Sequence, residues 1–272
     1  MTYDVQIEDV PYLTVDGEAL LARLYRPKGG GPFPALVEVH GGAWTSNDRM
    51  TNVDICRPLA EAGAVVMSID FRMPPAVQYP APIAEINFAT RWLKARAAEF
   101  GSSPERVGIL GTSSGGHQAM LSALRPKDPR YAALPSEGGH DASVAFAVLC
   151  WPIVDPLARY KMVSTNGNDR LKAAHDAYWL DEAAMAEGNP QAILAAYEGL
   201  RPLPPMLYLQ GTDDSNVTPN MATNFRDAYT SAGGAITLET FDGAPHAFVA
   251  RDPESADSKQ AVALIRDFVL AQ

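Results

Sequence analysis

The sequence is short of cysteine, histidine, positive charge and long apolar runs, and each shortage excludes something. Only Cys56 and Cys150 occur among 272 residues, with no Cys-x-x-Cys pair. That rules out a disulfide scaffold or a four-cysteine zinc site. A single disulfide remains open, but two buried free thiols in a reducing compartment are expected. With 22 Lys+Arg against 32 Asp+Glu the formal net charge is −10, which offers no basic footprint for nucleic acid. The longest apolar run, Val144 to Val154, is 11 residues and contains Pro152, about half of what a membrane span needs. The opening residues Met1-Thr2-Tyr3-Asp4 lack a basic segment followed by an apolar stretch, so no secretory signal and a cytoplasmic location are expected. There is no HxH, HExxH or Cys/His cluster, no GxxxxGK[ST] and no GxGxxG after a strand, and hence no expected metal or cofactor. With 47% apolar and 20% charged residues, the remaining class is an ordinary globular chain, neither disordered nor coiled coil.

What is present alternates. Val5 to Leu13, Ala19 to Tyr25 and Ala35 to His40 read as strands separated by turns, with Gly29-Gly30-Gly31 before Pro32 as one of the turns. Continuous apolar runs at Ala64–Ile69, Val107–Leu110, Val144–Leu149 and Met206–Leu209 read as strands covered on both faces, and Ile236–Phe241 as one more. Helices are expected over 82–100, 115–124, 219–231 and 258–270. Strand alternating with helix implies a mostly parallel sheet with helices on both faces. Residues 151–204 break the rhythm, with helical character and no strand. One helix is expected from Lys172 to Met185, and another opens at the cap-plus-proline pair Asn189-Pro190 and runs to about Tyr197. The segment is expected to be a cap inserted into a single domain spanning 1–272. The exposed strand at 236–241 would allow two copies to pair.

The chemistry concentrates in three loops. Gly111-Thr112-Ser113-Ser114-Gly115 is a G-x-S-x-G match set between a strand and a helix, the context a nucleophile elbow needs. Ser114 lacks the leading glycine in its own frame, so Ser113 is the expected nucleophile. His40-Gly41-Gly42-Ala43-Trp44 follows a strand and can aim backbone amides at an oxyanion; with the amide of Ser114 these are the candidate donors. Of the five histidines, His246 lies in a loop between the last strand and last helix, where a base could reach Ser113. His40 is read as bracing its turn, His117 as a packing or capping residue, and His140 and His175 as solvated. For the acid, Asp213 and Asp214 compete after the strand at Leu209. The chain order Ser, Asp, His is that of the α/β-hydrolases.

These motifs resemble the esterase group of the α/β-hydrolase fold related to hormone-sensitive lipase and to bacterial feruloyl-esterase-like and kynurenine-formamidase-like enzymes. The likeness runs from about Leu20 to the C-terminus. It rests on His40 to Trp44, Asp70-Phe71-Arg72 with Tyr79-Pro80-Ala81-Pro82, Gly111 to His117, Gly211-x-x-Asp214 and Gly243-x-x-His246-x-Phe248. It implies an eight-stranded, mostly parallel sheet with a helical cap, and it selects Asp214, three residues after the glycine. This chain departs from the pattern in having Ala43 where a third glycine or an aromatic is common, Glu85 where aspartate is common, and no DPLxDE-type signature after Asp214. The expected activity is hydrolysis of small to medium carboxylic esters through an acyl-enzyme on Ser113, His246 and Asp214. Trp44, Trp151, Tyr178 and Trp179 are candidate pocket walls. The same residues could serve an arylformamidase or other amidase, a lactonase or a small peptidase; a silent hydrolase-fold receptor is the reading from another class.

Overall fold

The computed structural model describes residues 2–199 and 201–272. An antiparallel pair, β1 (Val5–Val15) and β2 (Glu18–Pro27), leads into β3 (Ala35–Val39), helix α1 (Val53–Ala62), β4 (Val65–Ile69) and α2 (Ala81–Arg96). Then come β5 (Val107–Thr112), α3 (Ser114–Leu124), β6 (Ala147–Cys150) and four short helices: α4 (Pro156–Thr165), α5 (Asp169–Tyr178), α6 (Glu182–Glu187) and α7 (Pro190–Ala195). The chain closes with β7 (Met206–Gly211), α8 (Met221–Ser231), β8 (Ile236–Phe241), α9 (Phe248–Arg251) and α10 (Ala256–Leu270). The sheet order is β1-β2-β4-β3-β5-β6-β7-β8, parallel from β4 onward. β8 ends the sheet, as an edge strand. No helix among the described residues is long and apolar enough to cross a membrane.

Two-residue periodicity divides the core. On β3, Ala35, Val37 and Val39 belong to the core layer that holds Ile83, Ile86, Met120 and Phe225 of α2, α3 and α8, while Leu36 belongs to the layer with Ile55 and Leu59 of α1 and Ile265 of α10. On β7, Met206 and Tyr208 join the first layer, Leu207 and Leu209 the second. Helices cover both faces, so the central strands are mostly apolar, with Glu38 of β3 and Ser68 of β4 as buried polar exceptions. Cys56 and Cys150 are both buried free thiols.

Two local expectations need correction, and one helix was not expected from the sequence. Helix α1 was not legible, because Pro58 sits inside it, where a missing N–H normally argues against helix. Burial of Ile55, Cys56 and Leu59 against the sheet outweighs that loss, and Gly63 ends the helix at φ 110°. The helix expected from Lys172 to Met185 is broken at Trp179, which turns extended and inserts into the core, and Asp181 then caps α6 by accepting from the Ala184 amide at 2.7 Å. Helix α2 stops at Arg96 and continues as a 3-10 turn to Phe100. Asn189 does begin a helix, its side chain accepting from the amides of Gln191 and Ala192 at 3.0 and 3.1 Å.

Candidate active site

The parallel strands deliver their C-terminal loops to one rim of the sheet, and the chemistry-bearing residues sit on those loops. Ser113 occupies the turn between β5 and α3 at φ 53°, ψ −121°, a strained conformation for a side-chain-bearing residue. Its neighbours must be glycine: a Cβ at Gly115 would lie 2.1 Å from the Val39 carbonyl oxygen, and one at Gly111 2.6 Å from that of Gly115. Gly116 has its own reason, since a Cβ there would meet Pro152 at 2.6 Å.

His246 follows β8 and reaches back across the rim. The Ser113 hydroxyl donates to its Nε2 at 2.8 Å, and its Nδ1–H donates to Asp214 Oδ2 at 2.8 Å. Asp214 lies after β7, buried, and is held by the Gln210 amide at 2.8 Å on Oδ2 and the Asn216 backbone amide at 2.9 Å on Oδ1. Because Asp214 can only accept, the imidazole carries its proton on Nδ1 and offers the Nε2 lone pair to Ser113. Asp213 points to solvent. Ser114 is buried and its hydroxyl is occupied, accepting from the Trp44 amide at 3.1 Å.

The loop after β3 needs one correction. The Gly41 amide donates to Thr112 Oγ1 at 3.0 Å and is therefore spent. Among the described residues, the amides of Gly42, Ala43 and Ser114 have no acceptor. Gly42 sits at φ 121°, where a Cβ would fall 2.1 Å from the Ser46 carbonyl oxygen. Ala43 takes φ 53° without being glycine. Strain gathers here: of the seven non-glycine residues with positive φ among the described residues, five (Ala43, Asn47, Ser113, Trp151 and Ala247) line one cleft.

That cleft encloses about 300 Å³ over Ser113 and His246. Trp151 lines it, but Trp44, Tyr178 and Trp179 do not. Those three form a buried aromatic block behind the glycine turn, Trp44 stacked on Tyr178 at 5.3 Å and edge-on to Trp179 at 6.0 Å. His117 ties the block together. It accepts from Trp44 Nε1 at 3.2 Å and donates to the Gly188 carbonyl at 2.9 Å, and burial pushes its pKa down to about 4. The same helical segment is anchored through Glu187, which takes Arg130 at 2.8 Å and Tyr79 at 2.5 Å, and pairs with Arg125. His175 is not solvated: it is buried beside Trp44 at 4.8 Å, neither ring nitrogen has a partner among the described residues, and burial pushes its pKa down to about 3. His140 is half-buried. His40 braces its turn, stacked on Phe71 at 4.4 Å with Nδ1 2.8 Å from the Gly41 carbonyl.

Residues that motif reading missed lie beneath the turn. Asn52 donates to Glu38 at 2.6 Å and to Thr112 Oγ1 at 3.1 Å, so a buried chain runs Glu38–Asn52–Thr112–Gly41. Glu85, the departure from aspartate, still engages Arg72, accepting its backbone amide at 2.6 Å and its Nε at 2.5 Å. Gln210 and Arg159 were also missed. Like Glu38 and Asn52, neither belongs to a short motif.

The chain resembles known proteins in sequence and in fold. The BD-FAE family model matches residues 23–229. The carboxylic ester hydrolase LipN of Mycobacterium tuberculosis is 31% identical over 89% of this chain and 64% of its own length. The esterase LipQ of the same organism is 27% identical over 90% of this chain and 58% of its own. The chain thus spans less than two thirds of these curated relatives. A thermophilic esterase of the Planctomycetes species Thermogutta terrifontis, solved with propionate bound, superposes with a TM-score of 0.76 at 25% identity, over 99% of this chain and 94% of that one. A hyperthermophilic esterase of Pyrobaculum calidifontis gives 0.79 at 23% identity, over 100% and 86%, a likeness of fold. With the match covering most of the chain, the chain belongs to the BD-FAE family and has the α/β-hydrolase fold.

Proposed function

We propose that the protein hydrolyses small to medium carboxylic esters through an acyl-enzyme on Ser113. The observation that carries this is the continuous chain of 2.8 Å hydrogen bonds from Ser113 through His246 to Asp214, opening into a cleft. Ser113 Oγ attacks the ester carbonyl as His246 Nε2 takes its proton, and Asp214 stabilises the resulting imidazolium. The tetrahedral oxyanion is received by the amides of Gly42, Ala43 and Ser114, at the N-terminus of α3, whose dipole favours negative charge. Collapse breaks the bond to the alcohol oxygen, which takes the proton from His246. A water then gives its proton to the same nitrogen, attacks the acyl carbon and releases the acid, returning the proton to Ser113 Oγ. The relatives named as ester hydrolases and the propionate held by the Thermogutta esterase support this reading.

Residues 151–204 act as a cap within one domain. Tyr178, Trp179, Met185 and Leu194 of this segment share the core layer of α2, α3 and α8, and Val163, Leu171 and Ala174 cluster with Ala43 of the glycine turn. A cleft of about 300 Å³ is at the small end of ligand sites and favours short acyl chains. The test is a fluorophosphonate probe with graded p-nitrophenyl esters and N-formylkynurenine alongside. Wild type is expected to be labelled, Ser113→Ala not, with rates falling beyond short acyl chains. An unlabelled wild type overturns the mechanism, and turnover of the formamide alone overturns the ester assignment.

A further inference from the structure

The cleft has a charge character that ester hydrolysis does not require. In a chain with ten more acids than bases, its lining contains Arg159, Arg170 and Arg251 and no aspartate or glutamate. Arg170 and Arg251 are exposed at the mouth, but Arg159, from α4, is 1% exposed. Buried cations normally come with a carboxylate partner, because the desolvation of an unpaired charge is expensive. Arg159 has none within ion-pair distance among the described residues. Its Nε donates to the Asn216 carbonyl at 3.1 Å, its guanidinium lies 5.4 Å from the centre of the Trp44 ring, and Nη1 has no acceptor among the described residues. Asp214 contributes negative potential at the guanidinium, but that carboxylate is already shared by His246, Gln210 and Asn216. Burial lowers the guanidinium pKa only to about 10, so the group stays charged at neutral pH.

We propose that Arg159, flanked by Arg170 and Arg251, is the specificity site for an anionic group, and that the preferred substrates are esters carrying a free carboxylate. The inference rests on the esterase reading above and narrows it. A planar guanidinium in the wall of a cleft, with its buried Nη1 lacking an acceptor, matches a carboxylate in geometry and charge. The arginines at the mouth raise the local concentration of anions against the overall negative charge of the chain. The aromatic block behind Arg159 holds the guanidinium plane, so little side-chain freedom is lost on binding.

The test compares ester pairs of matched length by pH-stat: monoethyl succinate, glutarate and adipate against ethyl butyrate, valerate and hexanoate. A charge-assisted hydrogen bond supports a preference of roughly tenfold to a hundredfold in kcat/KM for the half-ester that places its carboxylate at Arg159. Arg159→Gln is expected to remove that ratio and Arg159→Lys to retain part of it. Because the ratio is taken within one preparation, partial misfolding of a variant cancels. Equal or slower turnover of every half-ester by wild type overturns the proposal while leaving the esterase reading intact. If wild type cleaves no ester of either series, the esterase reading fails separately, and calorimetric titration of Ser113→Ala with monoethyl glutarate against diethyl glutarate still decides whether the cleft selects a carboxylate: tighter binding of the half-ester sustains it and equal binding overturns it.

Discussion

Replacing Glu38 by glutamine should change how stability depends on pH. Glu38 is fully buried in the middle of β3, and burial pushes its pKa from 4.5 up to about 7. The hydrogen bonding explains which form fits. Ser68 Oγ lies 2.8 Å from the Arg49 carbonyl and 2.5 Å from Glu38 Oε2, yet a hydroxyl has one proton. When that proton goes to Arg49, Glu38 must be the donor to Ser68 and is therefore neutral. Asn52 meanwhile donates to Oε1 at 2.6 Å. A glutamine reproduces this pattern, its amide donating to Ser68 and its carbonyl accepting from Asn52.

A carboxyl whose folded pKa lies above its unfolded value holds more protons in the native state, so stability falls as pH rises between the two values. The stabilisation is fully present below pH 4.5 and lost as pH climbs through about 7. The gap is worth roughly 3 kcal/mol, or roughly 6–10 °C in Tm for a chain of this size. Denaturant and thermal unfolding of wild type and Glu38→Gln from pH 4.5 to 8 are the assay. The advantage of the variant should be near zero at the acid end and grow to that figure by pH 8. Parallel curves across the range would refute a neutral Glu38.

Other perturbations separate the roles of neighbouring groups. Asp214→Asn should lower kcat by about 10⁴ with the fold intact, because an amide can hold the imidazole in the wrong tautomer; esterase kinetics beside circular dichroism tests this. Gln210→Ala removes one of the three donors on Asp214 and should lower kcat by about tenfold with KM unchanged, read from initial rates. Gly42→Ala must push its Cβ away from the Ser46 carbonyl, displacing the turn; kcat on a short ester should fall by about 10²–10³, and retention of wild-type rates would argue that this amide faces no oxyanion. His117→Phe leaves both Trp44 Nε1 and the Gly188 carbonyl without partners and should destabilise by about 2–4 kcal/mol in urea unfolding.

The sequence made the reacting centre more legible than its surroundings. The elbow could be read locally because steric demands at Gly111, Ser113 and Gly115 act over five residues and leave no choice of residue type. The sheet was equally readable, since a strand covered on both faces announces itself as an apolar run. Asn189-Pro190 declared a helix start for the same local reason. Helix α1 and the break at Trp179 were hidden because burial overrode propensity, first at Pro58 and then at a tryptophan that leaves the helix to enter the core. The three aromatics expected around substrate turned out to lie behind the turn, since composition reveals that a tryptophan is buried but not on which side of a loop. Glu38–Asn52–Thr112 and Arg159–Asn216 are contacts across 14, 60 and 57 positions, which no spacing rule encodes.

The helical segment and the glycine turn are one mechanical unit. Trp44 belongs to the turn yet is packed between Tyr178 and Trp179 of the segment, and His117 clamps its indole to Gly188 between α6 and α7. Ala43 on the same turn packs against Val163, Leu171 and Ala174 of α4 and α5. Two consecutive non-glycine residues at positive φ, 53° and 64°, persist there because packing from the segment over-determines them. A change in α4 to α7 therefore reaches the amides of Gly42 and Ala43 without touching substrate. By the same connection Arg159, carried on α4 against the Trp44 ring, places the charge of the cleft and the geometry of the turn under one set of contacts, so substitutions that loosen the segment should lower kcat and blunt substrate discrimination together.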